Sequence, residues 1–217
     1  DRIYQLPLAL IGIAIGVAML PSISSKIRSE SFEKIHETIE QTLVYSLLLA
    51  VPASVGIFAL SEQIIAVLFE RGEFNENSSL FTSKALKFYS LGLVAFILMK
   101  IYTPIFFAYE NARPTLYITA TNLVINTTLS IVLFVNVGFI GIPIATSISA
   151  WMSVLLMNYS LYKNNYYQIS RRIIFPCTII IIVSFIMYLY LISLENYLEI
   201  LFNFLQDYEI IFLLFSV

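Results

Sequence analysis

Charged residues are scarce in this chain. Of 217 residues, 12 are Lys or Arg and 14 are Asp or Glu, so 12% carry charge while 59% are apolar. Soluble domains are about 25% charged, because a folded core must be covered by polar surface. A water-soluble globular domain is therefore ruled out. So is a disordered chain, which needs low hydropathy and high net charge. A formal net charge of −2 leaves no basic excess for a phosphate backbone, which removes nucleic-acid binding. Cysteine and histidine occur once each, as Cys177 and His36. No internal disulfide can form, and no His/Cys metal cluster can be assembled. Glycine occurs only seven times, never in a G-x-x-x-x-G-K phosphate loop, and neither H-E-x-x-H nor G-x-S-x-G is present. No enzymatic activity and no organic cofactor are expected. Any transport would be passive, or driven by an ion gradient or the membrane potential. No initiator Met or basic signal-peptide region opens the sequence, and it closes inside an apolar run, so it is expected to be a section of a longer protein.

Apolar residues, by contrast, come in long unbroken runs, and the mean hydropathy is +0.86. A bilayer core of about 30 Å is crossed by about 20 residues of helix. Six runs reach or approach that length: Ile3–Leu20, Thr42–Leu60, Ala85–Ala108, Thr115–Val137, Phe139–Leu161 and Ile173–Leu194. A seventh begins near Tyr208. Barrel strands alternate over about ten residues, whereas these runs are continuous. Backbone in lipid must also pair with itself, which favours helices. The expected fold is all-α: a polytopic bundle of six complete transmembrane helices and one partial helix. Residues 1–161 would hold five spans, 162–172 a basic loop, and 173–217 a final helix pair with its last member truncated. Among the connections, SFEKIHETIEQ reads as a short surface helix entering the second span, with Ile35 and Ile39 on one face. Glu195–Glu209 reads as a loop. The sixth run is almost wholly apolar and is expected to be peripheral, facing lipid.

Lys and Arg collect on the cytoplasmic side of membrane proteins. Placing Tyr162–Arg172 inside puts Lys163, Arg171, Arg172, Arg113, Lys26, Arg28 and Lys34 there, and leaves Arg2, Arg71, Lys84 and Lys87 outside. The first helix then starts on the outer face. Lys100 alone falls inside a helix. A charge at the bilayer centre costs about 2.5–3.5 kcal/mol on insertion scales, and such residues commonly face a watery cavity. The competing reading is a lysine that snorkels to the inner interface. Arg2 at a helix mouth is open to the same pair of readings: snorkelling, or a fork of donors for a phosphate. Gly12 and Gly16 sit four apart, the spacing of close helix packing. Thr119, Asn122, Asn126 and Ser130 lie on one face of the fourth span, and Pro143, Thr146, Ala150 and Ser153 on one face of the fifth. Such stripes either line a cavity, hold a hard cation with neutral oxygens, or join helices by hydrogen bonds. Cys177 reads as a small buried hydrophobe and His36 as a solvated loop residue.

Four stretches resemble signatures of the MurJ (MviN) lipid II flippase family, in family order and spacing. They are DRIYQLPLALIGIAIGVAMLPSIS at the start, LFERGEF, KIYTPIFFAYENARPT and VGFIGIPIATSISAWMSVLLM. In the third, Pro114 and Thr115 stand in the reverse of the family order. The resemblance implies the C-terminal lobe of a fourteen-helix flippase: helices eight to thirteen and the start of fourteen. It implies a multi-pass protein of the bacterial inner membrane that moves an undecaprenyl-diphosphate-linked peptidoglycan precursor between leaflets by alternating access. The partners would be that lipid, the surrounding membrane lipids and the N-terminal lobe of the same protein.

The resemblance also assigns roles to residues. Arg2 matches a cavity arginine implicated in holding the diphosphate, and Lys100 matches a family lysine. Packing at Gly12 and Gly16 would let the lobes close. Some members are described with a sodium site, which transfers to Asn126, Ser130, Ile142 and Thr146. Ser130 stands there in place of a carboxylate or amide, and the contributing acid of helix seven has no counterpart in this chain. The final helix pair would form a groove for the prenyl tail. Rival readings are a polysaccharide-lipid flippase or a drug/cation antiporter of the same superfamily, or a non-transporting membrane assembly subunit. Drug antiporters place a carboxylate within their lobes, and no Asp or Glu interrupts the complete apolar runs.

Overall fold

The computed structural model describes residues 3–12, 21, 23, 25, 32–69 and 76–215, with side chains placed up to residue 195 and at 197. The described residues are helical, with no strand among them. In chain order the helices are α1 (Ile3–Gly12), α2 (Phe32–Ala59), α3 (Ser61–Phe69), α4 (Glu76–Ala108), α5 (Arg113–Val137), α6 (Gly141–Lys163) and α7 (Arg171–Phe215). A 3-10 turn, Gly138–Ile140, joins α5 to α6.

α4 is the hub. It packs on α2, α3 and α6, while α5 packs mainly on α6 and α7 on α2. Its core face carries Leu93, Ala95, Ile97, Ile101, Ile105 and Phe106, which meet Ile39, Leu43 and Ala50 of α2 and Ala150, Val154 and Met157 of α6. Between helices in lipid, apolar burial drives little, because lipid tails are as apolar as Leu; close packing and interhelical hydrogen bonds carry the association. The α4–α6 crossing shows both. A Cβ on Gly92 would lie 2.8 Å from Ser147 Oγ and 3.2 Å from Ser147 Cα, so only glycine admits this approach. At the same crossing Ser147 Oγ donates to the Phe88 carbonyl at 2.6 Å and Trp151 Nε1 to that of Leu91 at 2.9 Å. On the other side of α4, Ser54 Oγ donates to the Ser90 carbonyl at 2.6 Å, fastening α2.

The elements extend beyond the apolar runs. The surface helix expected ahead of the second span is continuous with it, giving α2 its 28 residues. α4 begins at Glu76, nine residues before Ala85, because ENSSLFTSK contains no Gly or Pro to stop it. The largest departure lies at the end of the chain. A loop over Glu195–Glu209 and a separate helix from Tyr208 are expected from sequence, yet α7 runs unbroken from Arg171 to Phe215. No Gly or Pro follows Pro176, and LEILFNFL supplies apolar residues across the polar interval, so nothing ends the helix there. As expected, α7 is peripheral: outward residues such as Ile181, Val183, Phe185 and Tyr190 are exposed.

Two braces tie α3 to its neighbours. Lys87 Nζ pairs with Glu62 at 2.7 Å, joining α4 to α3, and Gln63 of α3 donates to Glu195 of α7. At the other end, the loop after α6 folds back. Tyr166 stacks on Tyr109 with ring centroids 4.2 Å apart, and Asn111 Nδ2 donates to its hydroxyl at 3.1 Å. Tyr167 beside it is fully buried. Burial, with Tyr102 and Glu40 nearby, pushes its phenol above the ordinary tyrosine range. His36 is not a solvated loop residue. It sits on α2, partly buried, with its ring 5.4 Å from that of Tyr167, because the loop after α6 folds back over this part of the helix. Cys177 is half-buried against the core rather than enclosed by it.

Candidate functional site

α1 and α4 lie side by side and run in the same direction, as alternation from the outer face requires. Tyr4 stacks on Tyr89 and Phe96 at 4.9 and 5.9 Å, and eight residues further along α1 a Cβ on Gly12 would lie 3.3 Å from Lys100 Cγ. α4 then turns back into α5 through residues 109–112, where Glu110 takes the left-handed conformation at φ 55. That antiparallel return sets the start of α5 against the end of α4. Between the three helices is a cavity of about 510 Å³. Tyr4, Gln5 and Leu8 line it from α1, Phe96, Met99, Lys100 and Thr103 from α4, Thr115, Thr119 and Asn122 from α5, and Met157 from α6.

Its electrostatics are one-sided. Lys100 is the only ionisable group with a full charge in the lining, and no Asp or Glu contributes. Among the described residues its ammonium has no ion pair. The residue is exposed and lines the cavity. Thr103 Oγ1 is satisfied within its own helix, donating to the Met99 carbonyl at 2.8 Å. Two other lining atoms are buried without a hydrogen-bond partner, Thr115 Oγ1 and Asn122 Oδ1. The cavity thus carries one cation among neutral polar side chains of α1, α4 and α5, together with the apolar Leu8, Phe96, Met99 and Met157.

The structure separates residues that look alike in the sequence. The polar stripe on α5 splits in two: Thr119 and Asn122 line the cavity, while Asn126 and Ser130 turn to α6. There Asn126 Oδ1 accepts from Ser130 Oγ at 3.2 Å and lies 3.4 Å from Thr146 Oγ1, whose hydroxyl also sits 2.9 Å from the Ile142 carbonyl. The four candidate ion-site residues, Asn126, Ser130, Ile142 and Thr146, therefore do come together. All four contributing oxygens are uncharged, the amide oxygen is engaged by hydroxyl donors, and neither α5 nor α6 contains an acid. As placed, the cluster is a hydrogen-bonded joint between two helices. Among the described residues, no three His, Cys, Asp or Glu side chains converge on a metal position.

Gly12 is buried, and its neighbour is the stem of Lys100 within the same bundle. Arg2 and Gly16 lie outside the described residues. Tyr4, Gln5 and Thr115 are cavity residues that reading the sequence did not single out. The available signal was their register: Tyr4, Leu8 and Gly12 follow at intervals of four on one face of α1, and Gln5 is the lone amide in that apolar run.

A family model described as lipid II flippase MurJ matches residues 1–208. Probable lipid II flippase MurJ of Rickettsia prowazekii is 35% identical over 199 residues, covering 88% of this chain and 39% of that protein. The corresponding protein of Rhizobium tropici is 34% identical over 176 residues, covering 79% of this chain and 33% of its own length. Lipid II flippase MurJ of Burkholderia cenocepacia is 32% identical over 169 residues, 77% of this chain and 33% of that one. A solved structure, lipid II flippase MurJ in an inward closed conformation, superposes with a TM-score of 0.76 at 27% identity, covering 90% of this chain and 39% of that chain. The chain thus spans only about two fifths or less of the length of the relatives it matches. Taken with the helical bundle and its cationic cavity, the match over residues 1–208 shows that the chain belongs to the lipid II flippase MurJ family.

Proposed function

We propose that this chain is the C-terminal lobe of a lipid II flippase, and that the cavity between α1, α4 and α5 receives the diphosphate end of the lipid-linked headgroup. Lys100 carries the reading. A lysine within the apolar run of a membrane helix is costly, and this one lines a cavity with no acid in its lining. A drug or cation antiporter would need the opposite charge there. Arg2, matching the family's cavity arginine, would add a guanidinium that forks onto phosphate oxygens. The chain is a multi-pass protein of the inner membrane. Its lipid is moved without covalent change, as this lobe and the N-terminal lobe rock about the headgroup and expose it to each leaflet in turn. The other lobe and the bilayer lipids are its partners.

The test uses the full-length protein in cells depleted of their own flippase. Lys100→Met is expected to lower the exposure of lipid II on the outer leaflet at least tenfold, and Lys100→Arg to retain most of it. Arg2→Ala is expected to fail likewise. Normal exposure with Lys100→Met, at wild-type protein levels, overturns the assignment.

A further inference from the structure

We propose that Tyr166 and Tyr167, in the loop between α6 and α7, form a releasable latch: seated in this structure, and withdrawn when the helix ends around it shift. The latch lies outside the cavity, and only the last of its three readouts rests on the functional reading above.

The sequence builds the latch from a sharp turn. α6 ends at Lys163, and the chain reverses at once. The Asn164 N–H donates to the Ser160 carbonyl and the Asn165 N–H to that of Tyr162, both at 3.1 Å. Asn165 takes the left-handed conformation at φ 55, which asparagine adopts more readily than most residues. The N–H groups of Tyr166 and Tyr167 then both donate to the Leu161 carbonyl, at 3.0 and 3.4 Å. This turn throws the two side chains back onto the bundle. Tyr166 lies flat on Tyr109, meets Phe106 edge-on with ring centroids 6.3 Å apart, and accepts a hydrogen bond from Asn111. Tyr167 goes deeper and is 0% exposed. It belongs to the buried cluster that holds Ile39 of α2, Tyr102 of α4 and Ile173 of α7. α7 packs as a helix on α2, so the seated pair adds a tie between the start of α7 and the end of α4.

The chemistry of Tyr167 marks the seat as one to be left. Its hydroxyl is buried and has no hydrogen-bond partner among the described residues. A buried tyrosine hydroxyl ordinarily finds a partner, as that of Tyr166 does in Asn111. The unmade bond penalises the seated state, and water makes it good once the ring withdraws. A plug with only a packing role is better served by phenylalanine, which has the same ring and no orphan group. Ring burial holds the latch in while the hydroxyl weakens its hold, which narrows the gap between a seated and a withdrawn state. A lobe that rocks between two leaflets needs its helix ends to move and return, and a tie across α2, α4 and α7 that never released would oppose that motion.

The experiment uses the full-length protein in nanodiscs, where both faces are open to protease. Chymotrypsin cuts after Tyr and Phe alike, and a cut after residue 166 or 167, located by mass spectrometry, requires the latch to withdraw. Its rate follows the withdrawn population when opening is fast relative to cleavage. Tyr167→Phe keeps the ring and removes the orphan hydroxyl. It is expected to raise the unfolding midpoint by about 2 °C or more and to slow that cut by about threefold or more. In cells depleted of their own flippase it should lower lipid II exposure by a similar factor. Asn165→Val puts a branched residue in the left-handed conformation and is expected to speed the cut by about threefold or more. If Asn165→Val does not fold, Tyr166→Leu replaces it with the same expectation for a cut after residue 167, since it loses both the stack and the Asn111 bond. A Tyr167→Phe protein no more stable than wild type, or cut as fast, overturns the inference. So does one that is cut more slowly yet exposes lipid II normally, the result a purely packing tyrosine would give, and so does a turn variant cut no faster than wild type. A wild type that exposes no lipid II defeats the functional reading instead, and the latch is then decided by the midpoint and the cut.

Discussion

At the scale of single residues, the pairing of Gly12 with Lys100 is the most specific feature of the site. A lysine stem crossing a neighbouring helix needs room, and Gly12 supplies it. Even a methyl group would come within 3.3 Å of Lys100 Cγ, so the stem must give way by a few tenths of an ångström. A branched side chain would require more than the stem can yield. We expect Gly12→Val in the full-length protein to lower flipping about tenfold, close to the effect of Lys100→Met. Combining the two should cost little beyond either alone, because residues in contact are not additive. The check is a double-mutant cycle on lipid II exposure, and fully additive losses would sever the pair. In the sequence Gly12 and Lys100 are each conspicuous, one through its spacing from Gly16 and the other through its place in an apolar run. Their juxtaposition is not legible there, since 88 positions separate them and no local pattern records which faces of α1 and α4 meet.

At the scale of elements, the α5–α6 hairpin depends on two glycines doing different things. Gly138 has φ 75 and ψ −152, a backbone region that other residues avoid at a cost of about 1–3 kcal/mol. Gly141 has an ordinary backbone conformation, but a Cβ there would lie 2.5 Å from the carbonyl carbon of Leu133. α6 therefore leaves the turn pressed against the last turns of α5, which brings Thr146 to Asn126. Gly141→Ala is expected to destabilise the protein by about 1–3 kcal/mol, the usual cost of forcing atoms into a packed site. Gly138→Ala should fall in a similar range through strain alone. Thermal unfolding in detergent checks both, and a Gly141→Ala protein as stable as wild type contradicts the packing at the turn. The hairpin was readable from sequence, since two apolar runs meet at Gly138 with no room for a longer loop. The division of the α5 stripe was not. Thr119, Asn122, Asn126 and Ser130 follow one another at helical spacing, and only the tilt of α6 against α5 decides that two face a cavity and two face a helix. The unbroken α7 shows the opposite limit: polar residues at 195–209 look like a loop by hydropathy, but no Gly or Pro interrupts them and the helix continues.

At the scale of the whole molecule, charge is arranged so that one sign reaches the interior. Acids such as Glu33, Glu37 and Glu62 stand near the starts of α2 and α3, while the cavity lining has Lys100 and no acid. With a full positive charge within about 8 Å and an effective dielectric constant of about 20, the potential energy of a unit anion in the cavity is lowered by about 2 kcal/mol. That potential should be measurable without the lipid. Thr119 lines the cavity and is exposed, and Cys177 is the one thiol in these 217 residues. In full-length protein carrying Thr119→Cys with every native cysteine, Cys177 included, replaced by Ser, a small anionic thiol reagent is expected to react faster than a cationic one of the same size. That energy favours the anion and disfavours the cation by up to about thirtyfold each, so the ratio should approach several hundredfold at low ionic strength and should shrink as salt screens the field. Adding Lys100→Met should bring the two rates together. A cysteine at Leu189, on the outward face of α7, should show no such dependence on Lys100. Equal rates at Thr119→Cys, or a bias that survives Lys100→Met, would mean that the field in the cavity comes from elsewhere in the protein, and the lysine would lose its place as the anion's anchor.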